Sequence, residues 1–158
     1  MAGSSTASAE RPQATFRYDL ADPLAYLEAE RLRTEDPSVE WVPVLSPPAF
    51  RCAEEAEHLK EDVERRAADM GLQAIRWPDP FPFDSERAML AATYAKQIGR
   101  AVAFSLAAFR QAYAGGRSLG DDDTILIAAA ACEMHPRAVL KALEMRGVRE
   151  ALEEATGA

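Results

Sequence analysis

FRYDLADPLAYLEAERL, residues 16–32, joins two periodicities in one short run. Phe16, Tyr18 and Leu20 alternate with Arg17 and Asp19, the pattern of a strand with one buried face. Asp22 then stands where a helix N-cap is favoured. Pro23 follows at the first helical position, where a missing N–H costs nothing, and Leu24, Leu27 and the run from Ala29 to Leu32 supply an apolar stripe. Asp36 and Pro37 predict the stop. The next run, SVEWVPVL at residues 38–45, is Val-rich and mostly apolar, which suits a strand covered on both faces. Pro43 inside it predicts a place in the sheet where one amide needs no partner. Strand, helix and strand within about thirty residues make a parallel crossover unit.

Beyond Ser46-Pro47-Pro48 the chain reads as helical to its end. AEEAEHLKEDVERRAADMG places Leu59, Val63 and Ala67 on one stripe, with acids early, arginines late and Gly71 as its stop, a surface helix. IRWPDPFPFDSE interleaves Pro78, Pro80 and Pro82 with Trp77, Phe81 and Phe83. That stretch cannot continue a helix and is too aromatic for a solvated linker, so an extended segment packed on the surface is expected. Asp84 or Ser85 is expected to cap one long helix running to Gly115 and bent at Gly99. Asp121 to Asp123 predict the cap of a further helix, His135-Pro136 opens another, and Gly147 is expected to separate the last one.

The 158 residues, 48% apolar and 28% charged, are ordinary for one globular domain. A net charge of -8 repels phosphate backbones and anionic lipid, so neither nucleic acid nor a membrane surface is expected as a partner. The longest apolar stretch, Ile125 to Cys132, is far shorter than the roughly 20 residues that span a bilayer. Residues 1–13 lack the basic and apolar regions of a secretory signal and read as a disordered lead-in. Cys52 and Cys132 form no C-x-x-C pair, which fits two free thiols in a reducing cytoplasm. His58 and His135 have no second soft ligand at helical spacing, so no metal site is expected.

Taken together, FRYDLADPLAYLEAERL, VEWVPVL, RWPDPFPFDSERAML and AAACEMHPRAVLKALEMRGVREALEEAT resemble the DsbA-like branch of the thioredoxin superfamily. Within it they are similar to the 2-hydroxychromene-2-carboxylate isomerases and kappa-class glutathione transferases. The resemblance implies an α/β, thioredoxin-like fold with a large helical subdomain: one domain over 14–158, with its thioredoxin-like half at 14–46 and the helices at 47–158. It also implies a glutathione-dependent isomerase, transferase or thiol-disulfide oxidoreductase acting on small molecules or thiols. The family's second half, a strand hairpin bearing a Val-Pro signature, has no counterpart here, so a shortened member is expected. One edge of the first strand should then be uncovered, which would favour a homodimer or a substitute segment.

In that family the residue before the helix-opening proline is the reactive Cys of C-P-x-C or the Ser that hydrogen-bonds the glutathione thiolate. Here the aligned residues are Asp22, Pro23, Leu24 and Ala25, so both redox cysteines are absent. A helix N-terminus stabilises an anion. A carboxylate placed there accepts hydrogen bonds and repels a thiolate, which predicts impaired catalysis. Three readings of Asp22 stand: a helix cap, an acid/base group at the family's catalytic position, and a ligand-binding carboxylate without turnover. Pro23 and Cys52 are the candidates to flank glutathione, and a non-catalytic small-molecule-binding or assembly module is the competing function. Trp77, Phe81 and Phe83 are read as packing or as a pocket wall, and GRSLGDDDT as a loop with a helix cap, since it lacks the calcium-loop pattern.

Overall fold

The structure, a computed structural model, describes residues 14–158, and the lead-in assigned to residues 1–13 lies outside the described residues. Strand β1 (Thr15–Tyr18) pairs in parallel with β2 (Glu40–Pro43), Phe16 opposite Trp41 and Tyr18 opposite Pro43, and helix α1 (Pro23–Glu35) bridges them. The crossover expected from residues 16–45 is therefore present. Bonds from Glu40 N to Ala14 O (3.0 Å) and Val44 N to Tyr18 O (2.9 Å) flank the ladder. In a parallel pair alternate residues face the partner. Glu40, Val42 and Val44 therefore turn toward β1, and Pro43 points its missing donor to the outer edge, as the sequence required. Among the described residues the sheet has two strands, so β1 has a strand neighbour on one edge only.

Six helices follow: α2 (Ala53–Asp69), α3 (Glu86–Gln97), α4 (Ala101–Tyr113), α5 (Asp122–Ala131), α6 (Pro136–Leu143) and α7 (Arg146–Gly157). Helix α3 is their hub, touching β2, α4, α5, α6 and α7. Its Ala88, Met89, Leu90, Ala91, Ala92 and Ala95 are almost fully buried, because small side chains let neighbours approach from several directions. Among the described residues no helix is long and apolar enough to cross a membrane.

Two expectations are corrected. The long helix through Gly99 is two helices: Gly99 has φ +76°, the left-handed region, and Arg100 N closes onto Ala95 O at 2.7 Å, ending α3 before α4 starts. Gly147 does not separate the last helix but lies inside α7, whose N-cap is Met145. The segment between α2 and α3 is extended and packed, as expected. Trp77 Nε1 donates to Glu64 Oε1 of α2 at 2.7 Å, and Arg76 N donates to Tyr113 O at 2.8 Å.

An aromatic column joins the two parts. Phe16 and Tyr18 on β1 and Trp41 on β2 meet within 5.0–5.6 Å between ring centroids, and Tyr18 continues to Phe109 of α4 at 5.9 Å. Phe109 and Tyr113 pack on Tyr26 of α1 at 6.0 and 5.5 Å. The Tyr18 phenol under the sheet is satisfied, its Oη lying 2.5 Å from Ser105 Oγ, and burial pushes its ionisation far up. On the opposite face, α7 meets the sheet through Arg17, which donates to Ala155 O at 2.8 Å, and Thr156 Oγ1, which accepts from Leu45 N at 3.0 Å.

Candidate ligand site at the strand–helix junction

The loop from Asp19 to Asp22 must turn the chain from strand to helix while buried, so its polar groups need partners. Each finds one. Leu20 N lies 3.2 Å from Met89 Sδ of α3, and Leu20 O accepts from Tyr113 Oη of α4 at 3.0 Å. Asp19, only 4% exposed, accepts from Ala21 N through Oδ1 and from Ser46 N through Oδ2, both at 2.9 Å. A strand-end carboxylate thus ties the loop before α1 to the loop after β2. The sequence pattern put Asp19 on the solvent face, and nothing local signals its contact with Ser46, 27 residues away.

Asp22 is the N-cap of α1, with extended backbone (φ -97°, ψ 111°) and Oδ1 accepting from Leu24 N at 2.9 Å. Pro23 at the first helical position has no N–H, so Leu24 offers the first free amide and Asp22 takes it. Burial raises the Asp22 carboxyl above its ordinary range; the Leu24 and Ala25 amides act in the opposite direction, and the neighbouring charge of Asp19 adds to the rise.

Above this junction lies a cavity of about 330 Å3. Asp19, Asp22 and Pro23 form its base, Leu45 to Phe50 one wall, Leu59 of α2 another, and Pro82 to Glu86 the third. The walls are mainly apolar, and no lysine, arginine or histidine is among the lining residues. The acids at the rim are partly engaged: Asp84 Oδ1 accepts from Glu86 N at 3.0 Å, and Glu86 pairs with Arg149 of α7. The Pro82–Glu86 wall could be found in the sequence only as aromatic-proline packing. Its approach to Asp22 is a long-range contact.

Of the predicted site residues, Asp22 and Pro23 line the cavity; Cys52 does not, being the exposed N-cap of α2. Cys132 is buried, its thiol donating to Ala128 O at 3.1 Å, and burial pushes the thiol up. His58 is exposed, and His135 caps α6 by accepting from Arg137 N at 3.1 Å. Phe83 lines the cavity, whereas Trp77 and Phe81 pack on each other, tilted, at 4.9 Å between ring centroids beneath Lys60. The GRSLGDDDT segment delivers Asp121 as the N-cap of α5 and Asp122 as the partner of Arg87 at 2.7 Å.

A parallel strand–helix–strand unit with its cavity at the N-terminus of the bridging helix, and a helical array following the second strand, defines a thioredoxin-like protein with a helical insert. The chain belongs to the DSBA-like thioredoxin domain family, whose model matches residues 30–158. That match begins inside α1, so β1 and the Asp22 junction lie outside it. Among solved structures the chain is similar to a 2-hydroxychromene-2-carboxylate isomerase (TM-score 0.76, 18% identity, 90% of this chain and 76% of that one). It is also similar to a putative protein disulfide isomerase from Nitrosomonas europaea (TM-score 0.73, 15% identity, 92% and 76%). A probable DsbA oxidoreductase from Streptomyces coelicolor also matches (TM-score 0.65, 22% identity, 92% and 75%). At these identities the likeness is one of fold. No curated protein matches the chain by sequence.

The family resemblance implies glutathione, and the residues present do not fit it. The amide that would meet a thiolate at the helix end is taken by Asp22, whose own charge repels one, and the lining offers no cation for the tripeptide's carboxylates.

Proposed function

We propose that this DsbA-like protein has given up thiol chemistry at the family's reactive position and uses the junction cavity to bind a small molecule. The observation that carries the reading is the Asp22 carboxylate seated on the Leu24 amide, where the family's Ser or Cys would act. A thiolate mechanism needs a sulfur nucleophile or a hydroxyl donor at that helix end, and an ionised carboxylate is neither. Ala25 further removes the second cysteine of a dithiol pair. What remains is an apolar cavity of about 330 Å3, at the lower end of the size of small-molecule sites.

Calorimetry with reduced glutathione tests the reading. No saturable binding at millimolar ligand is expected for the unaltered chain, together with no catalysis of disulfide reduction in an insulin turbidity assay. Saturable glutathione binding that is lost when the cavity is filled by Leu59→Trp would overturn it and restore a glutathione-dependent enzyme.

A further inference from the structure

We propose that the junction cavity selects a small organic ammonium ion: a protonated amine carried on a compact apolar body. This rests on the small-molecule reading above and specifies its ligand. Pro23, Leu45, Pro47, Phe50, Leu59 and Phe83 give walls that favour an apolar group. At the base, Asp22 accepts from the Leu24 amide through Oδ1 and is approached by the Ala25 amide, and its two oxygens, with about four acceptor positions, keep capacity for a further donor. Asp19 lies behind it with both oxygens held by backbone amides, so it adds negative field without competing for a contact. Asp84 and Glu86 add their carboxylates at the rim, where Arg149 pairs with Glu86 from outside the lining, and no basic side chain lines the cavity itself.

The surroundings decide between ligand classes. An anion meets Asp19 and Asp22 at the base, Asp84 and Glu86 at the rim and no basic side chain among the lining residues, so it is disfavoured. A neutral molecule of the same shape gains the walls but nothing from the charge. A metal ion would want several convergent donors, and among the described residues no three His, Cys, Asp or Glu side chains form such a group. An ammonium group gains a charge-assisted hydrogen bond to Asp22 in a cavity of lowered dielectric, while its apolar body meets the walls.

Benzylammonium, benzyl alcohol and benzoate, nearly alike in shape, test this by NMR or calorimetric titration of the full chain. Benzylammonium is expected to bind saturably, benzyl alcohol about tenfold or more weakly by comparison, and benzoate not at all. Asp22→Asn keeps a favoured helix cap and removes the charge, so it should lower benzylammonium affinity about tenfold and leave benzyl alcohol unchanged. Leu59→Trp, which fills the cavity from α2 and leaves the carboxylate in place, should abolish binding of both. Equal binding of the ammonium and the alcohol, or an Asp22→Asn variant that still prefers the ammonium, overturns the amine assignment while leaving a small-molecule site standing. Binding of none of the three probes also overturns it, whereas saturable glutathione binding strikes at the functional reading itself.

Discussion

Asp22 is placed where two physical demands oppose each other. As an N-cap it satisfies the first free amide of α1, which contributes about 1 kcal/mol to a helix start. As a charge it is partly desolvated and stands beside Asp19, and burial lifts its carboxyl above the ordinary value of 3.8. A carboxylate whose folded-state pKa is raised is disfavoured in its charged form by folding. The penalty is therefore complete above the folded pKa and vanishes below the unfolded one. Asp22→Asn keeps the cap and removes the charge. It should raise stability at pH 7 in urea denaturation, and the gain should shrink as the pH falls through the raised folded value and be gone below about 4. A variant that loses stability at neutral pH would show the charge to be held favourably in place. Asp122 has the opposite sign: the Arg87 guanidinium lowers its carboxyl, so its contribution is present at neutral pH and is lost as the pH falls through that lowered value.

At the level of elements, α1 is fixed to α4 by a buried acid and a half-exposed base. Glu30, with 5% of its side chain exposed, receives two bonds from Arg110, Nε at 2.8 Å and Nη2 at 2.9 Å, and Arg33 stands at 3.6 Å. Removing the base leaves a buried carboxylate short of donors, a loss of several kcal/mol when fully enclosed. The solvent around Arg110 and the nearness of Arg33 reduce it, so Arg110→Ala should cost about 2 kcal/mol in denaturant unfolding. Arg110→Lys should recover only part, because one ammonium cannot match a forked pair. The break between α3 and α4 has a different cause. A Cβ on Gly99 would meet nothing within 4 Å, so the requirement is its positive φ alone. Gly99→Ala should cost about 1 kcal/mol and Gly99→Asn less, since asparagine tolerates that conformation. Equal costs would mean that something other than backbone strain ends the helix.

For the molecule as a whole, what could be read from the sequence divides by distance along the chain. The crossover was legible because alternation, cap, proline and Val-rich strand are local signals that agree over residues 16–45. Gly99 was legible as a bend but not as a break, because helical residues stand on both sides of it and the left-handed backbone angle that separates two helices is not written in residue type alone. Asp22 and Pro23 were legible as one end of a site. The cavity was not, because its other walls, from Ser46 to Phe50 and Pro82 to Glu86, arrive through tertiary packing. The same dependence sets how the protein should unfold. Two four-residue strands and one helix cannot bury enough surface alone, and the face carrying Tyr18 and Tyr26 is closed by Phe109 from α4, itself fully buried. Phe109→Ala should therefore cost about 3–5 kcal/mol, a large share of the 5–15 kcal/mol typical of a domain. It should lower the urea midpoint equally for the tryptophan signal of Trp41 in a Trp77→Phe background and for the helical signal in far-UV circular dichroism. A sheet signal lost well before the helical one would mean that the crossover unit and the helices are held together less tightly than the aromatic column between them requires.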